Sequence, residues 1–270
     1  MNAREWIERA AATLAQQGIE SPVVEARALL AQALSVPAAA LIAHPDSLAP
    51  PEADALLQRR LHGEPLAYIL GRKEFAGREF LVTRDVLIPR PETEVLLEEA
   101  ISAAPPGAMC LDLGTGSGCI GVSAALERGD TRWVLSDISM PALRVARKNA
   151  RRLGASVAFA QADALAAFRE RSFHLIACNP PYVALGDERL EDSVRRWEPA
   201  VALFAEEGGL AFVRRLAQEA MRVLEPRGRL ALEVGIGQAE AVSAMLEGRF
   251  DVRVRLDYAG VERVVIGALR

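Results

Sequence analysis

Hydrophobic residues recur at helical spacing throughout residues 1–64. In the first segment Ile7, Ala11 and Leu14 fall on one face, and Gly18 follows where a helix would end. The same spacing recurs between the later proline and glycine positions, which separate four helices in all. We therefore predict a small all-α bundle here, and we interpret it as a recognition or packing module because it contains no cluster of reactive side chains.

The pattern changes after this bundle. Residues 65–91 are richer in aromatic and β-branched side chains, as in Tyr68-Ile69-Leu70, and predict a hairpin-like linker. From residue 92 to 270, short apolar runs typical of strands alternate with helical segments. The predicted strands are 108–113, 133–137, 157–160, 173–177, 229–234, 252–258 and 261–266, and the predicted helices are 92–104, 120–126, 139–153, 209–224 and 238–247.

This alternation is typical of an α/β domain with a mostly parallel sheet, which we place at residues 92–270. A long loop is expected after the strand 173–177, up to about Glu206. The two-residue connection Ala259-Gly260 predicts that the last two strands form an antiparallel hairpin at the sheet edge.

Composition narrows the class of protein. The chain has 270 residues, of which 51% are hydrophobic and 25% charged, as in ordinary soluble proteins. Its formal net charge of −4 gives no global attraction to nucleic acid, so we expect no direct nucleic-acid partner. The charged N-terminus and the lack of a run of roughly 18 apolar residues predict a cytoplasmic protein without a membrane segment. The three cysteines and three histidines do not have metal-ligand spacing, so we expect no metal site.

Candidate chemistry begins where the strand 173–177 stops, at Asn179-Pro180-Pro181-Tyr182. In open α/β sheets, ligands bind at the carboxyl edge of the strands. The Asn179 and Pro180 carbonyl groups accept hydrogen bonds, and the Tyr182 ring offers a flat stacking face. Together they can hold a planar group that carries an NH2. A Pro-Pro turn after a core strand, with Asn179 as an ordinary turn residue, is the alternative.

A glycine-rich loop, Asp112-Leu-Gly114-Thr115-Gly116-Ser117-Gly118, follows the strand 108–113. Its glycines let the backbone approach a ligand, and its spacing departs from the dinucleotide pattern G-x-G-x-x-G. The loop therefore favours a nucleoside without a pyrophosphate over NAD.

Two acids end the next two strands. Asp137 is placed to accept from ribose hydroxyls, and Asp163 from an adenine amino group, although each alone is equally suited to a helix cap or turn. Arg90 is held extended between two prolines, either as a solvated charge or as a contact to an anionic group beside the cofactor cleft.

These motifs resemble a known family. Residues 112–118, Asp137 and 179–182 are similar to those of class I S-adenosylmethionine-dependent methyltransferases. Leu87-Ile-Pro-Arg-Pro-Glu-Thr-Glu94 and Glu198-Pro199, behind a helical domain, more closely resemble the HemK/PrmC family of protein-(glutamine-N5) methyltransferases, which act on peptide-chain release factors. The resemblance covers the chain from about Tyr68 onward. Residues 1–64 resemble the family only in forming a helical domain.

The resemblance implies that S-adenosyl-L-methionine is the cofactor and S-adenosyl-L-homocysteine the product. Residues 114–118 would hold the methionine end, Asp137 the ribose, and residues 179–182 the glutamine amide of a Gly-Gly-Gln loop in class 1 release factors. Asn179, Pro180 and Tyr182 are then the catalytic candidates. Related proteins often carry a large aromatic residue after the third-strand acid, where this chain has Ala164, so other residues are expected to pack on the adenine.

Residues 1–64 would be the substrate-recognition domain. Two other functions stay open: methylation of an exocyclic amine of a flipped base (adenine N6 or guanine N2), and a non-catalytic module that binds S-adenosylmethionine or a ribosome-associated partner. The retention of polar groups at every strand end argues against a non-catalytic module.

Overall fold

The structure, a computed structural model, describes residues 1–270 and contains two compact units. One unit comprises residues 1–72 and 192–197, and the other comprises 73–191 and 198–270. The helices are α1 (Ala3–Gln16), α2 (Pro22–Leu34), α3 (Ala40–Ala43), α4 (Pro51–Leu61), α5 (Leu66–Leu70), α6 (Thr93–Ala103), α7 (Cys119–Glu127), α8 (Met140–Leu153), α9 (Asp192–Trp197), α10 (Ala200–Leu203), α11 (Glu206–Gly209), α12 (Ala211–Val223) and α13 (Ala239–Leu246). The strands are β1 (Arg72–Phe75), β2 (Arg78–Leu81), β3 (Met109–Leu113), β4 (Arg132–Asp137), β5 (Ala158–Gln161), β6 (Phe173–Cys178), β7 (Val183–Ala184), β8 (Phe204–Ala205), β9 (Leu224–Glu233), β10 (Phe250–Leu256) and β11 (Glu262–Leu269). None of the helices combines the length and the apolar composition that a membrane span requires.

The first unit is helical, as the hydrophobic spacing predicts. Helix α1 begins with a capping box, in which Asn2 Oδ1 accepts from the Glu5 backbone N–H at 2.9 Å and the Glu5 carboxylate accepts from the Asn2 N–H at 3.1 Å. Helix α2 begins at Pro22, whose fixed φ suits a first helical turn. The larger buried side chains of this core are Trp6, Leu14, Leu29, Leu30, Leu41, Leu57 and Ile69. The all-α prediction for the N-terminal region is confirmed.

The segment after Pro65 differs from the predicted hairpin-like linker. Residues 66–70 form helix α5, which ends at Gly71 in the left-handed conformation, with φ at 70°. The prediction of extended structure around Tyr68 was wrong because Tyr68 and Ile69 are buried, and this packing outweighs their strand propensity. A hairpin does follow, since β1 and β2 pair across Ala76-Gly77.

A seven-stranded sheet organises the second unit, with strand order β10-β11-β9-β6-β3-β4-β5. Strands β9, β6, β3, β4 and β5 run parallel, whereas β11 pairs antiparallel with both of its neighbours, β9 and β10. The predicted mostly parallel sheet with an antiparallel C-terminal hairpin is therefore confirmed.

Helices cover both faces of this sheet. Because side chains alternate along a strand, Cys110 of β3 belongs to the core on one face and its neighbour Leu111 to the core on the other. Helices α6, α7 and α8 supply the first core, for example with Leu96 and Val122, and α12 and α13 supply the second. The strands are thus buried on both faces, and only their ends are free for polar side chains.

The register of the parallel strands brings those ends together. Leu113 of β3 pairs with Ser136 of β4 and with Cys178 of β6, which in turn pairs with Leu232 of β9. The residue that follows each of these paired positions therefore lies at the same carboxyl edge of the sheet. These residues are Gly114, Asp137, Asn179 and Glu233.

Two connections are more structured than the sequence predicts. The stretch expected to be one long loop after β6 contains α9, α10 and α11 and the small parallel sheet β7–β8. The C-terminal hairpin is closed by residues 257–261, so the predicted two-residue turn was wrong. The Asp257 carboxylate accepts from the backbone N–H groups of Ala259 and Val261, both at 2.9 Å, in place of strand pairing.

Candidate functional site

A cavity of about 460 Å³ lies at the carboxyl edge of the parallel strands. Its wall is formed by the turns after β3, β4, β5 and β6 together with parts of the segments 85–93 and 199–215. Most of the predicted site residues line it: Arg90, Gly114, Thr115, Gly116, Ser117, Asp137, Asp163, Ala164, Asn179 and Pro181. Gly118, Pro180 and Tyr182 are not part of the wall.

The glycine-rich loop owes its shape to backbone conformations that only glycine adopts easily. Gly114, Gly116 and Gly118 have φ values of 69°, 53° and 85°. Gly118 begins helix α7 and packs away from the cavity, since a Cβ on it would lie 3.2 Å from the Ala146 Cβ. The first two glycines form the cavity wall with their backbone.

A buried carboxylate fixes this loop from below. Asp112 is fully buried, and its Oδ2 accepts from Thr115 Oγ1 at 2.5 Å and from the Gly121 N–H at 2.8 Å. Burial raises the pKa of Asp112 to about 6, against the opposing effect of these two hydrogen bonds. Its other oxygen, Oδ1, has no partner in the protein. The Asp112 carboxylate therefore holds the loop with one oxygen, while its other oxygen can still accept a hydrogen bond.

Asp137 stands at the end of β4 and lines the same cavity. Its Oδ2 accepts from the Gly116 N–H and its Oδ1 from the Ser139 N–H, both at 2.9 Å. Burial raises its pKa, and the backbone amides partly offset this. Each carboxylate oxygen has a further lone pair, so Asp137 can still accept from a pair of hydroxyls.

The third strand end is arranged differently from the sequence expectation. Asp163 Oδ1 accepts from Arg215 Nη1 at 2.8 Å, so an ion pair already engages this carboxylate. Ala164 is buried and has a positive φ of 46°. An aromatic wall residue comes instead from helix α12, where Phe212 lines the cavity. Sequence reasoning missed Phe212 because it stands within an ordinary amphipathic helix.

Asn179 lies just past the end of β6. Its Nδ2 donates to Thr93 Oγ1 at 3.2 Å, whereas its Oδ1 makes no hydrogen bond within the protein. Thr93 is buried, although it also contributes to the cavity wall. The amide of Asn179 is thus tied at its nitrogen and free at its oxygen.

Tyr182 forms a hydrogen bond with a second buried carboxylate, that of Glu233. Its hydroxyl donates to Glu233 Oε1 at 3.4 Å, and burial raises the pKa of the phenol. Its backbone carbonyl accepts from Gln238 Nε2 at 3.0 Å. A Cβ on Gly209 would come within 2.0 Å of that carbonyl oxygen, so the chain packs against Tyr182 here as only glycine allows.

Arg90 faces the cavity but is already paired. Its Nη2 donates to Glu198 Oε1 at 2.5 Å, and Glu198 Oε2 accepts from the Ile88 N–H at 3.1 Å. Glu198 is buried. The ion pair and the hydrogen bond hold the Arg-Pro-Glu-Thr-Glu segment beside the cavity. Glu198, although distant from that segment along the chain, therefore has a structural role there.

No group of three or more His, Cys, Asp or Glu side chains is placed to hold a metal ion. All three cysteines are free and buried. The polar groups that line the cavity are backbone groups, carboxylates, hydroxyls, two arginine side chains and one amide, a set that suits a polar organic ligand.

Two family models match this chain. The model described as the PrmC N-terminal domain matches residues 5–71, and the model described as the Methyltransferase small domain matches residues 91–227. The second match contains the glycine-rich loop, both strand-end acids and residues 179–182.

Named relatives match over nearly the full length. The chain is 44% identical over 254 residues to the release factor glutamine methyltransferase of Neisseria gonorrhoeae. This aligned region covers 91% of this chain and 93% of that protein. It is 40% identical over 263 residues to the protein of the same name from Geobacter sulfurreducens, which covers 95% of this chain and 93% of that protein. Among solved structures, a methyltransferase from Pyrococcus furiosus matches with a TM-score of 0.57 and 17% identity, over 78% of this chain and 96% of that one. At that identity the match establishes the fold alone.

Proposed function

Because this chain belongs to the release factor glutamine methyltransferase family, we propose that it methylates the glutamine of the Gly-Gly-Gln loop in class 1 peptide-chain release factors. The methyl group goes to the side-chain amide nitrogen, N5. The observation that carries this proposal is Asn179, which lines the cavity and whose amide nitrogen is bound to Thr93, while its amide oxygen has no partner within the protein. A free carbonyl oxygen is suited to accept from the NH2 of a planar amide.

The cavity fits S-adenosylmethionine as the cofactor. Its volume lies in the usual range for small-molecule sites, and the sheet has the class I methyltransferase architecture. Gly114 and Gly116 allow a ligand to approach the backbone, and Asp137 can accept from the ribose hydroxyls. Phe212 and the exposed Ile138 are the apolar wall residues we assign to adenine, in place of an aromatic residue at position 164.

When bound, the cofactor supplies an electrophilic methyl group and leaves as S-adenosylhomocysteine. The protein's part is to position the nucleophile, because an amide nitrogen has its lone pair delocalised into the carbonyl. Asn179 Oδ1 accepts an amide hydrogen and aims the nitrogen at the methyl group, whereas Pro180 is buried outside the cavity wall and supports the turn that carries Asn179. Positioning of this kind is worth up to roughly 7 to 11 kcal/mol of a barrier. No strong base is required if the amide proton leaves after the methyl group has been transferred.

Tyr182 is assigned a supporting role. Its ring lies beside Gly235 and its hydroxyl donates to Glu233, so it holds the loop that carries Asn179. We assign the helical residues 1–64 to recognition of the release factor. The expected location is the cytoplasm, where release factors act.

The test incubates the protein with methyl-labelled S-adenosylmethionine and one of three substrates. These are an intact bacterial release factor, the same factor with Gly-Gly-Gln changed to Gly-Gly-Ala, and a mixture of DNA and tRNA. Label on the intact factor alone is the expected result. Label on the nucleic acid alone would overturn the proposal and indicate methylation of an exocyclic base amine. Equal labelling of the Ala variant would place the methyl group on another residue.

A further inference from the structure

The Gln238 side chain joins three separate segments of the second unit. Its Oε1 accepts from the Gly235 N–H at 2.9 Å. Its Nε2 donates to the backbone carbonyl of Tyr182 at 3.0 Å and to that of Gly208 at 3.3 Å. Only one orientation of this amide fits, because the N–H of Gly235 needs an acceptor and the two carbonyls need donors. Both ends of the side chain are therefore committed to backbone groups.

Gln238 itself is fixed at the start of helix α13. Its backbone N–H donates to the Gly235 carbonyl at 3.1 Å, and its own carbonyl accepts from the Val242 N–H at 3.0 Å. Ala239 and Val242 of this helix are buried in the core on one face of the sheet. The groups that the Gln238 side chain binds are thus anchored to a packed element.

The end of the Asn-Pro-Pro-Tyr motif needs such an anchor. Pro180 and Pro181 have no N–H, so the turn after β6 cannot be held by backbone donors of its own at these two positions. The bond from the Tyr182 hydroxyl to Glu233 is 3.4 Å long, beyond the usual range for O–H···O, whereas the bond from Gln238 to the Tyr182 carbonyl lies within the usual range for N–H···O. Gln238 therefore makes the better of these two side-chain bonds to Tyr182.

The other carbonyl bound by Gln238 lies in a conformationally strained segment. Glu207, Gly208 and Gly209 have φ values of 54°, 67° and 90°, a left-handed run that a chain keeps only where its surroundings impose it. The segment lies directly against the motif, since a Cβ on Gly209 would be 2.0 Å from the Tyr182 carbonyl oxygen and 3.0 Å from Gln238 Nε2. Gln238 thus binds two backbone segments at the place where they touch.

We propose that Gln238 is a positioning residue that holds the Asn-Pro-Pro-Tyr turn where Asn179 can meet the substrate amide. The inference rests on the proposed function of Asn179. Gln238 is not part of the cavity wall and acts through the Tyr182 carbonyl. Its bond to Gly208 fixes the same turn against the segment that carries Glu206, which does line the cavity. A displacement of about 1 Å at a reacting group costs on the order of 100-fold in rate.

The residues assigned to the cofactor belong to other parts of the cavity. Gly116 follows β3 and Asp137 ends β4, and the side-chain hydrogen bonds of Gln238 reach neither. Loss of the Gln238 amide should therefore slow methyl transfer without weakening cofactor binding. A residue that merely stabilised the fold would affect both.

Two variants separate the amide from its packing. Gln238→Met keeps the length of the side chain and removes the amide, whereas Gln238→Glu keeps the size and the acceptor for Gly235 but sets an oxygen against the two carbonyls. Gln218→Met and Gln218→Glu make the same changes at an exposed position of α12 and are the matched controls. For each protein we would measure kcat and KM with an intact release factor, S-adenosylmethionine affinity by titration calorimetry, and unfolding in urea.

We expect kcat to fall on the order of 10-fold in Gln238→Met and on the order of 100-fold in Gln238→Glu. KM and cofactor affinity should change by less than about threefold in both. The two Gln218 variants should retain the wild-type kcat. The order of the two losses is informative, because glutamate resembles glutamine in shape more closely than methionine does. A packing role alone would therefore make Gln238→Met the worse variant.

Three outcomes would overturn the inference and leave the proposed function intact. These are a wild-type kcat in either Gln238 variant, a larger loss in Gln238→Met than in Gln238→Glu, and a loss of cofactor affinity that parallels the loss of kcat. If Gln238→Glu is unfolded under assay conditions, Gln238→Met decides by its kcat and its cofactor affinity. Failure of the proposed function is distinguishable, because the wild-type protein itself would then not methylate the release factor.

Discussion

Replacing Glu233 by Gln should stabilise the fold, and the gain should increase with pH. Burial raises the pKa of Glu233 from its usual 4.5 to about 7. Below pH 4.5 the carboxyl is neutral in both folded and unfolded chains. Between the two values the unfolded chain ionises it while the folded protein keeps its proton, so the free energy of unfolding falls as pH rises. The stability that the neutral form contributes is lost once pH passes about 7.

The size of the effect follows from the two pKa values, whose separation corresponds to about 3 kcal/mol. A glutamine at this position stays neutral at every pH and loses none of it. The free energy of unfolding of Glu233→Gln, minus that of the wild type, should therefore increase by about 3 kcal/mol between acidic and mildly alkaline pH. Asp112 also has a raised pKa, but it is present in both proteins and cancels from the difference.

The assay is urea unfolding, followed by circular dichroism, at about pH 4.5, 6, 7 and 8. Glu247→Gln is the matched control, since it makes the same chemical change at an exposed helix end. A Glu233→Gln difference that is constant over this range would refute the reasoning, because Glu233 would then titrate alike in the folded and unfolded protein.

Much of the second unit can be predicted from local patterns. The apolar runs and their glycine, proline and acidic boundaries predict the strands and the carboxyl edge to which ligands bind. Gly114 and Gly116 are recognisable because a loop with positive φ strongly favours glycine. Asn179 is recognisable because two prolines cannot continue a strand.

The residues that sequence reasoning missed depend on contacts between distant segments. Thr93 is simply the first residue of a helix, and Glu233 the last residue of an apolar strand, until the fold brings Thr93 to Asn179 and Glu233 to Tyr182. Helix α5 was predicted as extended because intrinsic propensity was weighed without the tertiary packing that buries Ile69. No local pattern distinguishes such positions from ordinary core or turn residues.

Three further changes test the site and its support. Asn179→Ala should keep cofactor affinity within about threefold in calorimetry while turnover is lost, and retained turnover would remove Asn179 from the chemistry. Asp137→Ala should weaken cofactor binding, since it removes the acceptor assigned to the ribose, and unchanged titration heats would contradict that assignment. Gly121→Ala should destabilise the fold, because its Cβ would lie 2.6 Å from Leu135 Cδ1 and 2.9 Å from the Asp112 Cβ. Overpacking of this kind costs about 1–3 kcal/mol, which outweighs the gain in helix propensity of about 1 kcal/mol. A Cβ on Gly129 meets nothing within 4 Å, so Gly129→Ala is the control in urea unfolding. Equal stability of the two variants would mean that α7 can move away from β3 without a loss of stability. The close packing of Gly121 would then not be what holds the glycine-rich loop in place.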